Sequence, residues 1–248
     1  FLAGETREEL QQRTQQWKDQ LEQFGLRLNI GKTEYMECGP QTDGTIAIDG
    51  VDLQKVTRFK YLGSQIDCLG DSVVDAQSRV TAWLKWRQVT GVLCDRRMPI
   101  RLKSKIYKSV VRPVALYGSE CWPTTLKHAK ALHAMEMKML RWSLGFTLLD
   151  HKRNEDVRTS MGVAPINEKM REHRLRWYGH VVRSSENSVA KTGLELVVPG
   201  RRPRGRPRKR YLDQVREDMR CVEITEDDAL DRMVWRRAIR VADPAVRD

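Results

Sequence analysis

The chain has 248 residues, a formal net charge of +12 and a pI of about 9.7. Hydrophobic residues make up 40% of it, which excludes a wholly disordered chain and allows a packed core. Residues 1–70 hold 8 Lys and Arg against 11 Asp and Glu, whereas residues 71–248 hold 37 against 22. The net charge therefore changes from −3 to +15 along the chain, and we expect the second part to meet a polyanion, nucleic acid first.

The cysteines and histidines favour an intracellular protein without a metal site. Widely spaced cysteines without a Cys-x-x-Cys pair predict thiols in a reducing compartment, nuclear or cytoplasmic, and not a secreted disulfide framework. The histidines lack paired ligand spacing, and we expect them to be structural or on the surface. No apolar run of about 18 residues indicates a membrane span. The residues are Cys38, Cys68, Cys94, Cys121 and Cys221, and His128, His133, His151, His173 and His180.

A helix is predicted near the start of the chain. Thr6 and Glu9 have the spacing of a capping box, in which each side chain accepts a hydrogen bond from the other residue's backbone N–H. Gly25 is placed to end this helix. Its apolar face is expected to carry Leu10, Trp17, Leu21 and Phe24.

Short strands are predicted to follow this helix. Residues 25–36 alternate in polarity and are predicted to form one strand or two short strands around Gly31, and residues 59–63 are predicted to form a further strand. Residues 45–53 are predicted to form a hairpin, because they alternate on both sides of Asp49-Gly50, a tight-turn pair. Residues 1–70 are therefore predicted to be α+β, with an incomplete sheet layer. We expect this layer to expose an apolar edge and to be less stable than the helical part.

From Ser72 onward the apolar periodicity predicts almost only helix. Pro99 is suited to the first turn of a helix, and Arg112-Pro113 is expected to kink or break it. This helix pairs a basic stripe with an apolar one, made of Ile100, Ile106, Val110, Val111, Val114 and Tyr117. Further helices are predicted over residues 72–90, 126–144, 154–161, 168–183, 210–221 and 225–240, the last with Glu226, Asp227 and Asp228 at its capped start.

Aromatic residues alternate with basic ones in WLKWR (83–87), LRWSLG (140–145) and LRWYGH (175–180). Such tryptophans either pack in a core or stack on bases while arginines hold phosphates. We favour the core for Trp83, Trp142 and Trp177. Gly179 has the position of a helix-packing or kink residue.

Residues 201–210 read RRPRGRPRKR and contain no acidic or apolar side chain. An Arg-Gly-Arg-Pro unit is flat and extended, so its arginines fit a narrow A·T-rich minor groove, and the stretch resembles an AT-hook. Nonspecific phosphate contact, a nuclear-import signal or a plain linker are the alternatives. The basic residues are Arg201, Arg202, Arg204, Arg206, Arg208, Lys209 and Arg210.

The residues themselves predict no catalytic centre. Two-metal nucleotidyl transfer needs clustered carboxylates, but Asp49 and Asp52 merely flank a turn. Neither a Ser/His/Asp arrangement nor a phosphate-binding Gly loop is present. Composition and spacing alone predict a basic, mostly helical chain that binds nucleic acid.

Several motifs in order resemble one family. They are similar to the C-terminal part of the reverse transcriptase encoded by a non-LTR (LINE-like) retrotransposon, most similar to the RTE group. The stretches are GLRLNIGKTEYM (25–36), FKYLGSQI (59–66), LKSKIYKSVVRPVALYGSECW (102–122), MEMKMLRW (135–142), RNEDVR (153–158), LRWYGHVVR (175–183) and RGRPRKRYLD (204–213).

The resemblance implies a right-hand polymerase of which this chain holds the end of the palm, the thumb and a C-terminal region. The family's Asp pair, in a Tyr-Ala-Asp-Asp box, precedes the segment that matches residues 1–10. The chain would then lack the carboxylates that hold Mg²⁺ in the complete polymerase, and no cofactor is expected in it alone.

The resemblance also assigns roles to single residues. Lys32 matches a palm lysine thought to protonate the departing pyrophosphate, a catalytic role only if the missing palm is supplied. A hairpin that grips the primer end is matched by Phe59, Tyr61, Leu62 and Gly63. The thumb face that follows the template–primer duplex is matched by Arg101, Lys105, Lys108 and Arg112.

Five regions are expected. They are a partial palm (1–70), a helical thumb-like domain (71–145), a helical C-terminal region (146–197), an Arg/Pro/Gly linker (198–210) and C-terminal helices (211–248).

Three functional hypotheses remain open. In the first, the chain is a reverse-transcriptase fragment that binds RNA, an RNA–DNA hybrid or DNA, is inactive alone, and has the missing N-terminal half as a partner. In the second, it is a stand-alone, domesticated DNA-binding module that acts through residues 201–210. In the third, it is a retroelement remnant without a selected function.

Overall fold

The computed structural model describes residues 1–70, 75, 81–196, 204–205 and 209–246. The chain divides into two compact units, Phe1–Asp75 and Ala76–Asp248. Short strands occur in the first unit and helices dominate the second, which confirms the predicted fold class of an α+β start followed by a mostly helical region. Within the described ranges, every helix is too short or too polar to cross a lipid bilayer.

The first unit begins with helix α1, Arg7–Gln23. Thr6 caps it as predicted, because its hydroxyl accepts a hydrogen bond from the Glu9 N–H at 3.2 Å. The Glu9 carboxylate, however, accepts from the Glu5 N–H at 2.9 Å, so only half of the capping box forms. Gly25 follows the helix with φ of 72°, a left-handed conformation that favours glycine.

The strands of this unit form three separate pairs. Strand β1 pairs with β4 in parallel, β2 with β3 antiparallel, and β5 with β6 antiparallel. The hairpin predicted around Asp49-Gly50 is confirmed, with both turn residues at positive φ. The bounds are Glu34–Tyr35 (β1), Ala47–Ile48 (β2), Val51–Asp52 (β3), Gln54–Lys55 (β4), Arg58–Tyr61 (β5) and Ser64–Asp67 (β6).

Of the one strand, or two short strands around Gly31, predicted over residues 25–36, only a short strand after Gly31 is found. The Asn29 side chain accepts a hydrogen bond from the Lys32 N–H at 3.1 Å and starts a 3₁₀ turn, Ile30–Lys32. This local side-chain cap competes with strand pairing. Only Glu34–Tyr35 then pairs as a strand.

The core of the first unit is small and consists of Tyr35, Ile46, Ile48 and Leu53. Helix α1 contributes Leu10 to it, but Trp17 and Phe24 of the predicted apolar face are exposed. Tyr61, Leu62 and Leu69 are exposed as well. The expected apolar sheet edge and the expected lower stability of this unit stay predictions.

In its described residues, the second unit is built mainly of helices. The predicted bounds of the helices over residues 126–144 and 154–161 are confirmed, and the helix predicted over residues 72–90 is described only from Thr81 onward. The helices are Thr81–Leu93 (α2), Ile100–Ile106 (α3), Arg112–Leu116 (α4), Leu126–Leu144 (α5), Asn154–Met161 (α6), Ile166–Val182 (α7), Val189–Glu195 (α8), Tyr211–Cys221 (α9) and Arg232–Ile239 (α10).

A π turn, Tyr107–Val111, separates α3 from α4. The interruption expected near Arg112-Pro113 therefore occurs just before it, and Pro113 lies in the first turn of α4, where its missing N–H is not needed. A π turn carries an extra residue and changes which face points inward. Lys103, before the π turn, is only 5% exposed, whereas Ile100 and Tyr117 of the predicted apolar stripe are exposed.

The acidic run at residues 226–228 begins a 3₁₀ turn, Asp227–Ala229, and not the helix predicted there. Helix α10 starts later because the Asp231 carboxylate accepts from the N–H groups of Met233 and Val234, at 2.7 and 3.1 Å. The helix is correspondingly shorter than predicted.

The tryptophans expected in the core divide into different environments. Trp142 is 52% exposed and Trp177 is 36% exposed, so neither is a core residue. Trp83 is partly buried and meets Trp142 with a centroid distance of 5.8 Å. Trp86 and Trp235, which the periodicity did not single out, are buried.

Candidate nucleic-acid interface

The predicted thumb face on α3 and α4 is only half exposed. Arg101 and Lys105 are exposed, but Lys108 is half-buried and its Nζ donates to the Gly162 carbonyl at 3.3 Å. Arg112 donates from both terminal nitrogens to the two carboxylate oxygens of Asp243, at 2.7 and 2.8 Å. Lys108 and Arg112 therefore hold parts of the fold together.

Asp243 lies in the segment after α10 and is fixed from two sides. Besides the Arg112 guanidinium, the Ala164 N–H donates to its Oδ1 at 2.9 Å. Burial raises the pKa of Asp243, but the hydrogen bonds from Arg112 and Ala164 outweigh it and hold the pKa below the usual range. The side chain is thus charged at neutral pH and neutralises Arg112.

Only part of the predicted AT-hook-like stretch can be placed. Arg204 is exposed, Lys209 forms an ion pair with Glu217, and the Arg210 N–H donates to Asp213 at the start of α9. Arg201, Arg202, Arg206 and Arg208 lie outside the described residues.

The residues matched to a primer grip form the tip of the β5–β6 hairpin. Leu62 and Gly63 make the turn at φ of 49° and 90°, and Leu62 is 75% exposed. A leucine in the left-handed region is strained. Phe59 and Tyr61 lie beside each other with centroids 6.3 Å apart.

Lys32 is exposed at the end of the 3₁₀ turn after Asn29. In the part of the chain that the structure describes, no three His, Cys, Asp or Glu side chains are grouped so that they would hold a metal ion.

A cleft between α7 and α10 gathers basic and aromatic side chains that the sequence did not bring together. It has a volume of about 1010 Å³. Among the described residues, four arginines and one carboxylate line it, and Glu172 nearby pairs with Arg176, so the cleft keeps an excess of positive charge. The lining residues are Glu120, His173, Arg176, Trp177, His180, Arg183, Ser184, Arg232, Trp235 and Arg236.

Gly179 sets the approach of the two helices that form this cleft. A Cβ at this position would lie against Nε1 of Trp235 and 2.8 Å from its Cδ1. The indole is buried, and its Nε1 donates to the Leu175 carbonyl at 2.9 Å. Gly179 is therefore the helix-packing residue, one of the two roles predicted for it, and Trp235 forms the buried floor of the cleft.

Replacing Gly179 by alanine is expected to destabilise the protein by about 2 kcal/mol in urea unfolding. The overpacking against the fixed indole outweighs the roughly 1 kcal/mol that alanine gains over glycine in a helix. Gly91→Ala in α2 is the control, because a Cβ there meets no atom within 4 Å. That variant should be stabilised, and equal behaviour of the two would contradict the packing role of Gly179.

Neighbouring positive charges and burial shift the pKa of side chains in the cleft. Burial and then the neighbouring Arg232 lower the pKa of Arg183, whose side chain also donates to the Ala229 carbonyl. Burial and then Arg176 lower the pKa of His173 below its usual range, so this imidazole is neutral at pH 7. Arg176 is paired with Glu172. A bound anion would relieve the repulsion between Arg183 and Arg232.

Sequence patterns indicated the residues that α7 contributes to this cleft but not those that α10 contributes. Trp177 and Arg183 lie within LRWYGHVVR, which the alternation of aromatic and basic residues had marked. Arg232 and Arg236 belong to α10, about fifty residues further along the chain. Their spacing of four residues, which places two arginines on one helix face, was the only local pattern that could have indicated them. The packing of Trp235 on Gly179 joins the walls, and this is a tertiary contact that no local pattern contains.

Sequence comparison links the chain to a mobile element. No protein-family model matches it, and no solved structure matches it either. An uncharacterized transposon-derived protein of Caenorhabditis elegans is 24% identical over 220 residues, which cover 84% of this chain and 76% of that protein. This similarity supports a transposon-related origin of the chain.

Proposed function

We propose that the chain is the C-terminal part of a retrotransposon reverse transcriptase of the non-LTR, RTE-like type, and that it holds nucleic acid. The order of the sequence motifs, the transposon-derived relative and the charge of +15 over residues 71–248 support this proposal. Polymerisation would belong to the catalytic palm of the complete polymerase, with Lys32 and the β5–β6 hairpin acting only beside it. The alternative is a stand-alone DNA-binding module that acts through the basic residues 201–210.

The observation that carries the binding role is the cleft between α7 and α10. Its arginines oppose one carboxylate, and guanidinium groups bind phosphate oxygens through paired hydrogen bonds. Arg232 and Arg236 are exposed on one side, whereas Lys108 and Arg112 of the predicted thumb face are occupied within the fold. The cleft is thus the better phosphate site.

Neutralising two cleft arginines tests this proposal. The double variant Arg232→Gln/Arg236→Gln is expected to bind a labelled 20-nucleotide RNA at least tenfold more weakly, since each lost charged hydrogen bond costs about 1.5–3 kcal/mol. The slope of log affinity against log salt should become less steep by about 0.7 for each lost phosphate contact with a single strand, or about 0.9 with a duplex. Fluorescence anisotropy across a salt series measures both.

The matched control is Arg101→Gln/Lys105→Gln, which removes the same charge from the exposed part of the predicted thumb face. Only a small loss of RNA affinity is expected for this control variant. If this control loses all binding and the cleft variant loses none, α3 is the binding surface and the cleft assignment is wrong.

A further inference from the structure

We propose that the cleft between α7 and α10 takes a single-stranded segment, with one unpaired base stacked on Trp177 and the flanking phosphates held by the arginines around it. This inference rests on the proposed nucleic-acid-binding function and names the form of nucleic acid. Binding of this kind requires an accessible aromatic surface, enough space for a nucleotide, and positive charges on both sides of the aromatic residue.

Trp177 supplies the aromatic surface. It lines the cleft and remains 36% exposed, unlike Trp235, which is buried and hydrogen-bonded below it. Its neighbour His180 lies one turn further along α7, with ring centroids 5.5 Å apart and planes at 36°. The exposed part of the Trp177 indole offers a surface on which a flat base can stack.

Arginines lie before and after Trp177 along the chain and also face it from α10. Arg176 and Arg183 are seven residues apart, which corresponds to about 10 Å along a helix. Arg232 and Arg236 face them from α10. The cleft volume of about 1010 Å³ is at the upper end of the roughly 300–1,000 Å³ range of ligand pockets, so a nucleotide with its phosphates fits.

The chemistry of the cleft favours a single strand over a duplex. In a duplex both faces of each base are covered by stacking, so that a surface tryptophan has no base to contact and only phosphates remain. An unpaired base offers its face to Trp177 whatever its identity. Glu120, a carboxylate among the described residues that line the cleft, adds an acceptor for a base amino group.

The test compares Trp177→Ala with the unchanged protein on two probes, a 20-nucleotide poly(U) RNA and an RNA duplex of 20 base pairs. Stacking is worth about 1–3 kcal/mol per base, so single-strand affinity should fall roughly 5- to 150-fold. Duplex affinity should stay within about twofold. Trp177→Phe should recover most of the single-strand binding, because a phenyl ring still stacks.

Trp142→Ala is the matched control, because Trp142 is an exposed tryptophan of the same unit that does not line the cleft. Equal losses on both probes, or an equal loss in the Trp142 variant, would overturn the inference. If Trp177→Ala changes nothing while the Arg232/Arg236 variant weakens binding, stacking is wrong and the proposed function stands. If neither variant changes binding, the nucleic acid is bound elsewhere, and both this inference and the assignment of binding to the cleft are wrong.

Discussion

Replacing Asp218 by alanine is expected to cost about 3–5 kcal/mol of unfolding free energy. Its carboxylate on α9 accepts from Nε of Arg174 on α7 at 2.5 Å, and both side chains are buried. Arg174 also donates to the Trp122 carbonyl at 3.1 Å and to the Thr124 hydroxyl at 2.7 Å. Without Asp218, a buried guanidinium loses its only counterion among the described contacts.

Urea unfolding followed by circular dichroism measures this effect. Small proteins have a total stability of about 5–15 kcal/mol, so the second unit would lose a large share of it. Glu226→Ala is the control: its pair with Arg216 spans 3.2 Å with both side chains about half exposed, and such surface pairs contribute about 0–1 kcal/mol. A loss below 1 kcal/mol for Asp218→Ala would mean that the buried pair does not hold α7 to α9.

Replacing Glu136 by alanine is also expected to lower the free energy of unfolding by about 3–5 kcal/mol. This fully buried side chain on α5 accepts from Tyr107 Oη at 3.0 Å, Arg158 Nε at 3.3 Å and the Ile166 N–H at 3.2 Å. Burial raises the pKa of Glu136 against the opposing effect of these donors. Alanine would leave a buried guanidinium, a hydroxyl and a helix N–H without their acceptor.

A second carboxylate near the same arginine provides the control. Glu155 lies 4.0 Å from Arg158 and its side chain is 78% exposed. Glu155→Ala should change the unfolding midpoint in urea very little, because a screened surface pair contributes little. If the two variants were equally stable, the buried network would not be the link between α5, α6 and the start of α7.

Local patterns were sufficient for much of the fold. The helices Leu126–Leu144 and Asn154–Met161 and the hairpin around Asp49-Gly50 follow from periodicity and turn residues alone. These signals lie within the segment that they shape, so no knowledge of the rest of the chain is needed.

What the sequence could not predict depends on contacts between distant residues. Lys103 is buried because its Nζ reaches the Ser143 carbonyl, forty residues away, at 2.8 Å. Arg174 and Glu136 are charged residues that a hydrophobicity pattern places on the surface, and only their partners on other helices allow burial. The same holds for the candidate site. Trp177 lies in a recognisable aromatic and basic motif, but no local pattern indicated that α10 forms the other side of the cleft.

The π turn between α3 and α4 has an evolutionary consequence. Its hydrogen bonds span five residues where an α-helix spans four, which is equivalent to one inserted residue. Losing one residue from Tyr107–Val111 would rotate Arg112–Leu116 by about 100° relative to Ile100–Ile106. Leu116 would leave the core and Arg112 would turn away from Asp243, so this stretch should tolerate substitutions far better than a single-codon deletion.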